Sequence, residues 1–532
     1  MRTPSFVLLL SFSVLGARLS AQTVHQVSLE DAIRIADRTS EFIDVARAGV
    51  TRADGQQKVA RSQFLPQLNA SGSYARTLAS QFEGFSFGGG PDTASIRALC
   101  APNLPDNATP AERQAALDQS QSCVPLGTTT GGGADFSSVG FGALNQWIVG
   151  LQFSQNVFTG GRSTGQRMAA NAGRRAADIE LVAQRAQVAL DATQAYYNAV
   201  LAGRLADIAQ SVLTWNDEVL RQTTQARQVG STSEFEVLRA RVARDNQVPV
   251  LLQRRNDQVV AMLRLKQLLE FPLDDSLELT TSIDDAPIPT VAGVSEPGEP
   301  VTASDTAPDA RATVRQAAEN VTAQEGLLRM ARSERFPTIA ITSGYQRLFF
   351  PLNTFPVLTD FRENWTVGVS AGVSLFSGGR IRGNERVAQA NLSEAKARLK
   401  QAKEFAALDA RVALSQLAQA EATWKASQGT AEQAQRAYGI DQIRYREGIS
   451  TQTDLTQSQL LVQQAMVNRA VAARDLAVAR IRLALLKDLP LSASNTGGAP
   501  AVGAGATILL SPPPQQQPRT PGASSATGSN QQ

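Results

Sequence analysis

The sequence predicts a mainly α-helical protein with a β-barrel part, built from a duplicated half. Three observations predict this fold class: a long-range internal repeat, two very long helical segments, and four segments with strand periodicity. The repeat keeps one offset of 218 positions (365 − 147, 448 − 230 and 490 − 272) without a net insertion. Three of its residues recur as follows: Trp147 as Trp365, Gly230 as Gly448, and Pro272 as Pro490.

Composition and the repeat divide the chain into five segments. Residues 1–21 have the features of a signal peptide, because Arg2 precedes an apolar run and Ala21 offers a small residue for cleavage. The first repeat covers residues 22–271 and the second covers 309–491. The Pro-, Asp- and Thr-rich stretch 272–308 joins them. The Pro/Gln-rich tail, 492–532, has no periodic pattern and is expected to be disordered.

Each repeat contains several helices. A capping box at Ser28 predicts a helix that continues to about Leu65. A second helix, free of proline, runs from Arg162 to Val229 and spans roughly 100 Å. Its equivalent runs from Arg380 to about Arg446, and after each long helix the chain turns and a helix returns. Apolar residues at coiled-coil spacing form the seam of the first long helix: Leu201, Leu205, Ile208, Val212, Trp215 and Val219.

Four segments alternate between apolar and small or polar residues, which is the period of a β-strand. The clearest are Trp147 to Val157 and Trp365 to Leu375. Their length matches strands that cross an outer membrane, although an ordinary half-buried hairpin shows the same alternation. Aromatic residues near the strand ends favour the membrane interpretation, since they suit its two interfaces: Tyr74, Trp147, Tyr345 and Trp365 at one end, Phe158 and Phe376 at the other.

Four strands cannot close a barrel around a lumen. Unpaired backbone groups at an open edge would cost several kcal/mol each in lipid. Strands that cross a membrane would therefore have to be shared between chains. Three chains would supply 12 strands, which is an even number within the usual range for such barrels.

The first hairpin has a long loop, residues 75–146, that the second repeat lacks. This loop carries both cysteines of the chain, Cys100 and Cys123. In an oxidising compartment the two are expected to form a disulfide that closes the loop. The alternative is a pair of free thiols.

Charge and motif content argue against several classes of function. The net charge of +3 falls to about +1 without Arg2 and Arg18, so nucleic acid is not an expected partner. No Cys/His cluster or HExxH motif is present, so neither a metal, a cofactor nor an enzymatic activity is predicted. The glycine-rich segment 160–165 lacks the ending of a phosphate-binding loop, and its twin at 378–383 suggests a tight turn instead.

Short motifs at equivalent places in the two halves complete the pattern. They are FTGGR at 158–162 and FSGGR at 376–380, FLP at 64–66 and FP at 336–337, and VGSTS at 229–233 and EGIST at 447–451. Together with the element order, they resemble the TolC-like outer membrane efflux protein family. The resemblance covers residues 28 to 490.

The resemblance implies a homotrimer in which a 12-stranded barrel in the outer membrane lipid continues into a periplasmic coiled-coil tunnel. It also implies a Gram-negative envelope, a periplasmic adaptor protein and an inner-membrane pump. The expected function is a passive export conduit of a tripartite efflux or type I secretion system. A secreted coiled-coil structural or adaptor protein of the periplasm is the alternative.

The two turns between the long and returning helices are the expected contact with an adaptor. Their residues are Val229, Gly230, Ser231 and Ser233 in the first half, and Gly448, Ile449, Ser450 and Thr451 in the second. Glu236 and Asp454 each lie six residues after the turn glycine. Both are interpreted as capping-box acids, and also as a ring of acids at a tunnel entrance. In the family a second acid often follows three residues after the equivalent of Asp454, but here that position is Gln457.

Overall fold

A computed structural model of the chain describes residues 25–79, 101, 104–122, 144–283, 306–351 and 361–491. The signal peptide, the C-terminal tail, most of the linker and both cysteines lie outside the described residues. The expectations about Cys100 and Cys123, and the boundaries of the five segments, therefore stay predictions. No helix in the described ranges is long and apolar enough to cross a lipid bilayer.

The first half has four strands and five helices among the described residues. In chain order they are β1 (His25–Val27), α1 (Leu29–Thr39), α2 (Glu41–Ser62), β2 (Gln67–Arg76), α3 (Pro110–Ser122), β3 (Asn145–Phe158), α4 (Arg162–Gln228), α5 (Glu234–Leu268) and β4 (Leu277–Leu279). The second half repeats the main elements as α6 (Ala312–Ser333), β5 (Thr338–Phe349), β6 (Arg362–Gly372), α7 (Arg380–Arg446) and α8 (Gln452–Ala484). The long helices α4 and α7 each contain 67 residues, so the predicted pair of helices is confirmed.

Two local predictions are wrong. The single helix expected from Ser28 to Leu65 is two helices, because Ser40 adopts an extended ψ of 119°. The Ser40 N–H still donates to the Ala36 carbonyl, and its own carbonyl accepts from Ile43, so Ser40 ends α1 and begins α2. The loop 75–146 contains the helix α3. Its start is capped by Thr109, whose N–H donates to the Glu112 carboxylate over 2.8 Å.

The four long strands form one antiparallel sheet in the order β2-β3-β5-β6. Its register pairs Ala70 with Leu151, Leu151 with Tyr345, and Tyr345 with Trp365. Residues directly opposite each other share a face, so the apolar rows predicted for the four strands all lie on one side of the sheet. This side is exposed in the single chain: Trp365, Val367 and Val369 are each more than 70% exposed. The expected alternation is confirmed.

The last strand is shorter than predicted. The sequence alternates up to Leu375, but β6 ends at Gly372. Gly372 pairs with Thr338, which is the first residue of β5, so the three residues that follow have no strand opposite them in this chain. A register shift lies between Asn156 and Phe158 at the end of β3.

The helical part packs along thin, alanine-rich seams. In the predicted seam of α4, Leu201, Ile208 and Val212 are buried, which confirms the coiled-coil interpretation. The largest cluster surrounds Tyr196 and Tyr197. The Tyr196 hydroxyl donates to the Val27 carbonyl over 3.1 Å and accepts from the Thr281 N–H at 2.9 Å, so it ties the parallel pair β1–β4 to the helices.

The two halves meet where α6 lies against the start of α4. A Cβ atom built on Gly165 would lie 2.5 Å from the carbonyl oxygen of Gly326, and one built on Gly326 would lie 2.6 Å from that of Gly165. Both glycines are therefore required for the close approach of the two helix backbones. Ten residues further along α4, Arg175 donates twice to Glu319 at 2.8 and 2.6 Å.

A buried ion pair holds the start of α6. Arg311 is fully buried and donates to Asp409 of α7 over 2.8 Å. Asp409 also accepts from Arg482 of α8 at 3.3 Å. Burial lowers the pKa of Arg311, while Asp409 acts against that shift. Three helices of the second half are thus joined through one carboxylate.

Candidate functional site

The two turns that end the long helices form the tip, defined here as residues 229–233 and 447–451. Gly230 has φ of +76° and Gly448 has φ of +72°, a left-handed conformation that disfavours residues with a Cβ. In the first turn the Ser231 N–H donates to the Ala226 carbonyl over 2.9 Å, and in the second Ile449 donates to Arg444 over 2.8 Å. Both are Schellman motifs, which satisfy the last carbonyls of a helix.

The start of α8 is a complete capping box. The Asp454 N–H donates to the Thr451 hydroxyl over 3.3 Å, and the Asp454 carboxylate accepts from the Thr451 N–H at 3.0 Å and from its hydroxyl at 2.7 Å. These hydrogen bonds, that of the Thr451 side chain first, lower the pKa of Asp454 below its ordinary range. Asp454 is therefore a cap residue that stays ionised at neutral pH.

The start of α5 differs from this arrangement. The Glu236 N–H donates to the Ser233 hydroxyl over 3.4 Å, but the Glu236 carboxylate does not return to Ser233, so the predicted capping box is wrong for this half. With its amide nitrogen turned toward Glu236, Gln452 donates to this carboxylate, and its oxygen accepts from the Ala240 N–H at 3.3 Å. Glu236 thus connects α5 with the start of α8 and brings the two turns together.

A second contact between the halves joins α4 and α7 on the sheet side of the tip. The sequence analysis did not predict it. The ring centroids of Trp215 on α4 and Tyr438 on α7 are 5.0 Å apart. The hydroxyl groups of Thr223 and Tyr445 form a hydrogen bond of 3.2 Å between the same two helices. Tyr438 and Tyr445 are seven residues apart, the spacing of a coiled-coil seam, and this was the signal that could have revealed them. Burial raises the pKa of Tyr438, which keeps its phenol neutral.

The surface of the tip is apolar at several points. Val229 is 80% exposed and Ile449 is 68% exposed, and Phe235 beside them is 67% exposed. The predicted tip residues therefore form one end of the helical part. Exposed apolar side chains of this kind, next to hydroxylic residues, are suited to contact with another protein.

The predicted membrane-interface aromatics lie on or next to the sheet, at the opposite end of the molecule from the tip. The rings of Tyr74 and Trp147 face each other across β2 and β3 with centroids 4.8 Å apart, and Tyr345 is opposite Trp365. Phe158 ends β3, as expected. Phe376, by contrast, lies four residues beyond the end of β6, so its predicted place at a strand end is wrong for the single chain. The contact of these residues with lipid stays a prediction.

Acidic and ligand-type residues do not converge elsewhere in the described ranges. Within those ranges, no group of three or more His, Cys, Asp or Glu side chains could hold a metal ion. The two ends of the molecule, the tip and the sheet, are therefore the sites from which function is argued.

Among the solved structures that share this fold are three bacterial outer membrane proteins. The CmeC outer membrane channel of Campylobacter jejuni is 18% identical with a TM-score of 0.62, over 88% of this chain and 87% of that one. VceC of Vibrio cholerae is 16% identical with a TM-score of 0.60, over 87% and 97%. The open-state MtrE channel of Neisseria gonorrhoeae is 18% identical with a TM-score of 0.63, over 87% and 89%.

The family itself is established by sequence. A comparison with curated protein sequences finds no significant match. A family model described as "Outer membrane efflux protein" matches residues 108–269 and 304–487, which is well over half of the chain. The resemblance seen in the sequence motifs is thereby confirmed, and the chain belongs to the outer membrane efflux protein family.

Proposed function

We propose that three copies of this chain form a passive export channel, which crosses the outer membrane at the sheet and continues into the periplasm through the helices. The observation that carries the proposal is the sheet. One of its faces is apolar and exposed, with Trp365, Val367 and Val369 at its outer strand. Its outer strands β2 and β6 each have only one neighbour in the sheet. Lipid covers such a face, and strands of other copies satisfy such edges.

The helices suit the wall of a tunnel. At 67 residues, α4 and α7 each extend roughly 100 Å from the sheet. Their seams are thin, and α7 is exposed to solvent along much of its length, while α4 is mostly buried or half-buried in the single chain. The tip then lies at the far end from the membrane. There its exposed Val229 and Ile449 would meet a periplasmic adaptor, which would connect the channel to an inner-membrane pump.

The proposal is tested by the mass and conductance of the purified protein. In detergent, the protein part of the particle should have three times the mass of one chain. Inserted into a planar lipid bilayer, this particle should conduct ions in discrete steps. A particle that contains a single chain and conducts would contradict the shared barrel, and a trimer that never conducts in its full-length form would contradict the channel.

A charge prediction follows for the tunnel entrance. In a trimer the three Asp454 carboxylates would gather near the axis and favour cations. We expect Asp454→Asn to reduce the preference for cations over anions, measured as the reversal potential in a salt gradient. The change removes the charge and keeps a short polar cap, so the helix should stay folded. Glu236→Gln should have a weaker effect, because the Glu236 carboxylate already accepts a hydrogen bond from Gln452. An unchanged reversal potential in Asp454→Asn would leave this acid with its capping role alone.

The same acid predicts how selectivity depends on pH. The hydrogen bonds to Thr451 lower the pKa of Asp454. The ionised carboxylate, and the helix cap that it forms, are therefore fully present when the pH is above the ordinary aspartate pKa. Both are lost as the pH falls through the lowered pKa. Cation preference due to Asp454 should therefore stay constant at neutral and weakly acidic pH, and be lost only at a pH below the ordinary aspartate pKa of 3.8. A decline near pH 6 would show that another group controls selectivity.

A further inference from the structure

Positive charge is concentrated where the helices meet the sheet. Four segments lie at this boundary, two that cover the ends of α2 and α6 and two that cover the starts of α4 and α7: residues 58–66, 329–337, 158–168 and 376–386. Together these 40 residues carry ten basic and two acidic side chains, a net charge of +8. The formal net charge of the whole chain is only +3, which leaves 3 − 8 = −5 for all other residues. The basic side chains of the four segments are called the basic belt below.

The basic belt is present in both halves of the duplicated chain. Each of the four segments has a net charge of +2. Three basic positions recur at the offsets of 271 or 218 residues: Lys58 as Arg329, Arg61 as Arg332, and Arg162 as Arg380. Three copies of the chain would therefore repeat the same charge in six similar places around the molecule.

Few acids neutralise the basic belt. Glu385 accepts hydrogen bonds from Arg332 and Arg335, and Glu334 accepts one from Arg380. One further basic residue pairs with an acid on its own helix. The other six side chains are exposed, and none has an ion pair or a side-chain hydrogen bond within the part of the chain that the structure describes: Arg61, Arg162, Arg167, Arg329, Arg382 and Arg386.

Three of these arginines lie on helices whose neighbours belong to the same chain. Helix α4 packs against both α2 and α6, and α6 packs against both α4 and α7. Arg162 and Arg167 at the start of α4, and Arg329 near the end of α6, are exposed although these contacts are already formed. In an assembly of several copies they therefore stay accessible, either from the outer surface or from the lumen.

The basic belt also lies next to the predicted membrane boundary. Phe158 ends β3 and Phe336 comes just before β5, and the two are 44% and 54% exposed. Arg162 follows Phe158 by four residues, and Arg329 precedes Phe336 by seven. At 1.5 Å per helical residue, both arginines lie within about 10 Å of the aromatic residues along the helix axis. Phospholipid headgroups occupy roughly 5–8 Å on each side of the hydrocarbon core, so the side chains reach them.

We propose that the basic belt binds the headgroups of anionic phospholipids in the leaflet on the helical side of the sheet, with Arg162, Arg167 and Arg329 as its centre in each copy. The inference rests on the channel proposed above, because it requires the sheet to lie in the membrane. Charge complementarity selects this ligand. The guanidinium groups lack carboxylate partners, and a phosphate accepts two parallel hydrogen bonds from one guanidinium. Clusters of Lys and Arg beside a membrane-crossing segment attract anionic lipids in general.

Lipid retention by the purified full-length protein tests the proposal. The trimer in detergent is mixed with phosphatidylglycerol or phosphatidylethanolamine and separated by gel filtration, and its bound lipid is counted by native mass spectrometry. We expect several-fold more phosphatidylglycerol than phosphatidylethanolamine to be retained. High salt should remove this excess, because it screens contacts between exposed charges. Equal retention of the two lipids would overturn the proposal.

Glutamine substitutions assign the binding to the basic belt. The variant should retain several-fold less phosphatidylglycerol, with phosphatidylethanolamine unchanged, when it combines Arg162→Gln, Arg167→Gln and Arg329→Gln. Glutamine removes the charge and keeps a good helix former, so the helices should stay folded. The matched control removes three other exposed arginines that lie far from the sheet: Arg204→Gln, Arg239→Gln and Arg241→Gln. Equal losses in the two variants would show that net charge, and not the basic belt, controls retention.

A fluorescent probe tests where the lipid binds. In a chain with Cys100 and Cys123 replaced by serine, Thr164→Cys places a dye between Arg162 and Arg167. In vesicles, phosphatidylglycerol with a spin-labelled headgroup should quench this dye more strongly than spin-labelled phosphatidylcholine at the same mole fraction. The control is Thr214→Cys, which is exposed on the same helix about 75 Å away and should be quenched by neither lipid. Equal quenching of the Thr164→Cys dye by both lipids would contradict the selectivity.

The remaining outcomes separate this inference from the channel proposal. If the variant of the basic belt retains lipid normally but changes the reversal potential, the arginines line the lumen and this inference is wrong. Stronger retention of lipid A than of phosphatidylglycerol would also overturn it, since the basic belt would then face the other leaflet. If the trimer conducts but retains no excess of phosphatidylglycerol, only this inference fails. If the unsubstituted protein is monomeric, the channel proposal itself is wrong.

Discussion

Among the glycines that the structure describes, Gly165 is the one whose replacement with alanine is expected to cause the largest loss of stability. The new Cβ would lie 2.5 Å from the Gly326 carbonyl oxygen, which is backbone and cannot rotate away. Helices α4 and α6 must then move apart along their contact. We expect the free energy of unfolding to fall by about 2–3 kcal/mol, the upper range for overpacking. The measurement is the midpoint of thermal or urea unfolding, followed by helical circular dichroism.

Gly173→Ala provides the matched control, since it lies on the same helix and its Cβ would meet nothing within 4 Å. There the methyl group should raise stability by up to about 1 kcal/mol through helix propensity alone. The two substitutions are chemically identical and differ only in what faces them. Equal effects at the two positions would show that the close approach of α4 and α6 is absent in solution.

Replacing Gly448 with valine is expected to abolish export while the trimer still assembles. At φ of +72° a β-branched residue is strongly disfavoured, so the turn must rearrange and the Ile449–Arg444 hydrogen bond is lost. The rearranged turn would displace Thr451 and Asp454, and with them the tip surface. In the proposed channel the copies would join through the outer strands of the sheet, which is remote from this turn. The measurements are the mass of the detergent particle and the cellular accumulation of a dye whose export depends on this chain.

Two further substitutions make this test sharper. Gly448→Asn should retain part of the export, because asparagine tolerates the left-handed conformation better than valine does. Gly429→Val, in the middle of α7 where a Cβ meets nothing within 4 Å, should have little effect on export. The interpretation of the tip is wrong if Gly448→Val exports normally, or if Gly429→Val loses export to the same extent.

Much of this protein could be predicted from local sequence patterns. The offset of 218 residues predicted two long helices of equal length, and both have 67 residues. Alternation predicted which residues share a face of the sheet, and the observed register places them so. Glycine followed by hydroxylic residues predicted the two turns of the tip. Each of these features depends on backbone conformation and periodicity over a few neighbouring residues, and a sequence displays both directly.

Other features depended on partners that are distant in the chain. The contact of Glu236 with Gln452 and the hydrogen bond of Tyr445 with Thr223 join residues whose proximity no local pattern encodes. The two capping motifs show this most clearly. Ser233 and Thr451 begin equivalent helices, yet only Asp454 completes its box, because Gln452 of the other half occupies the Glu236 carboxylate. The sequence alone determined the repeated units and their periodicity. Only the tertiary structure decided which side chains those units bring together, since that depends on how the helices and strands pack in space.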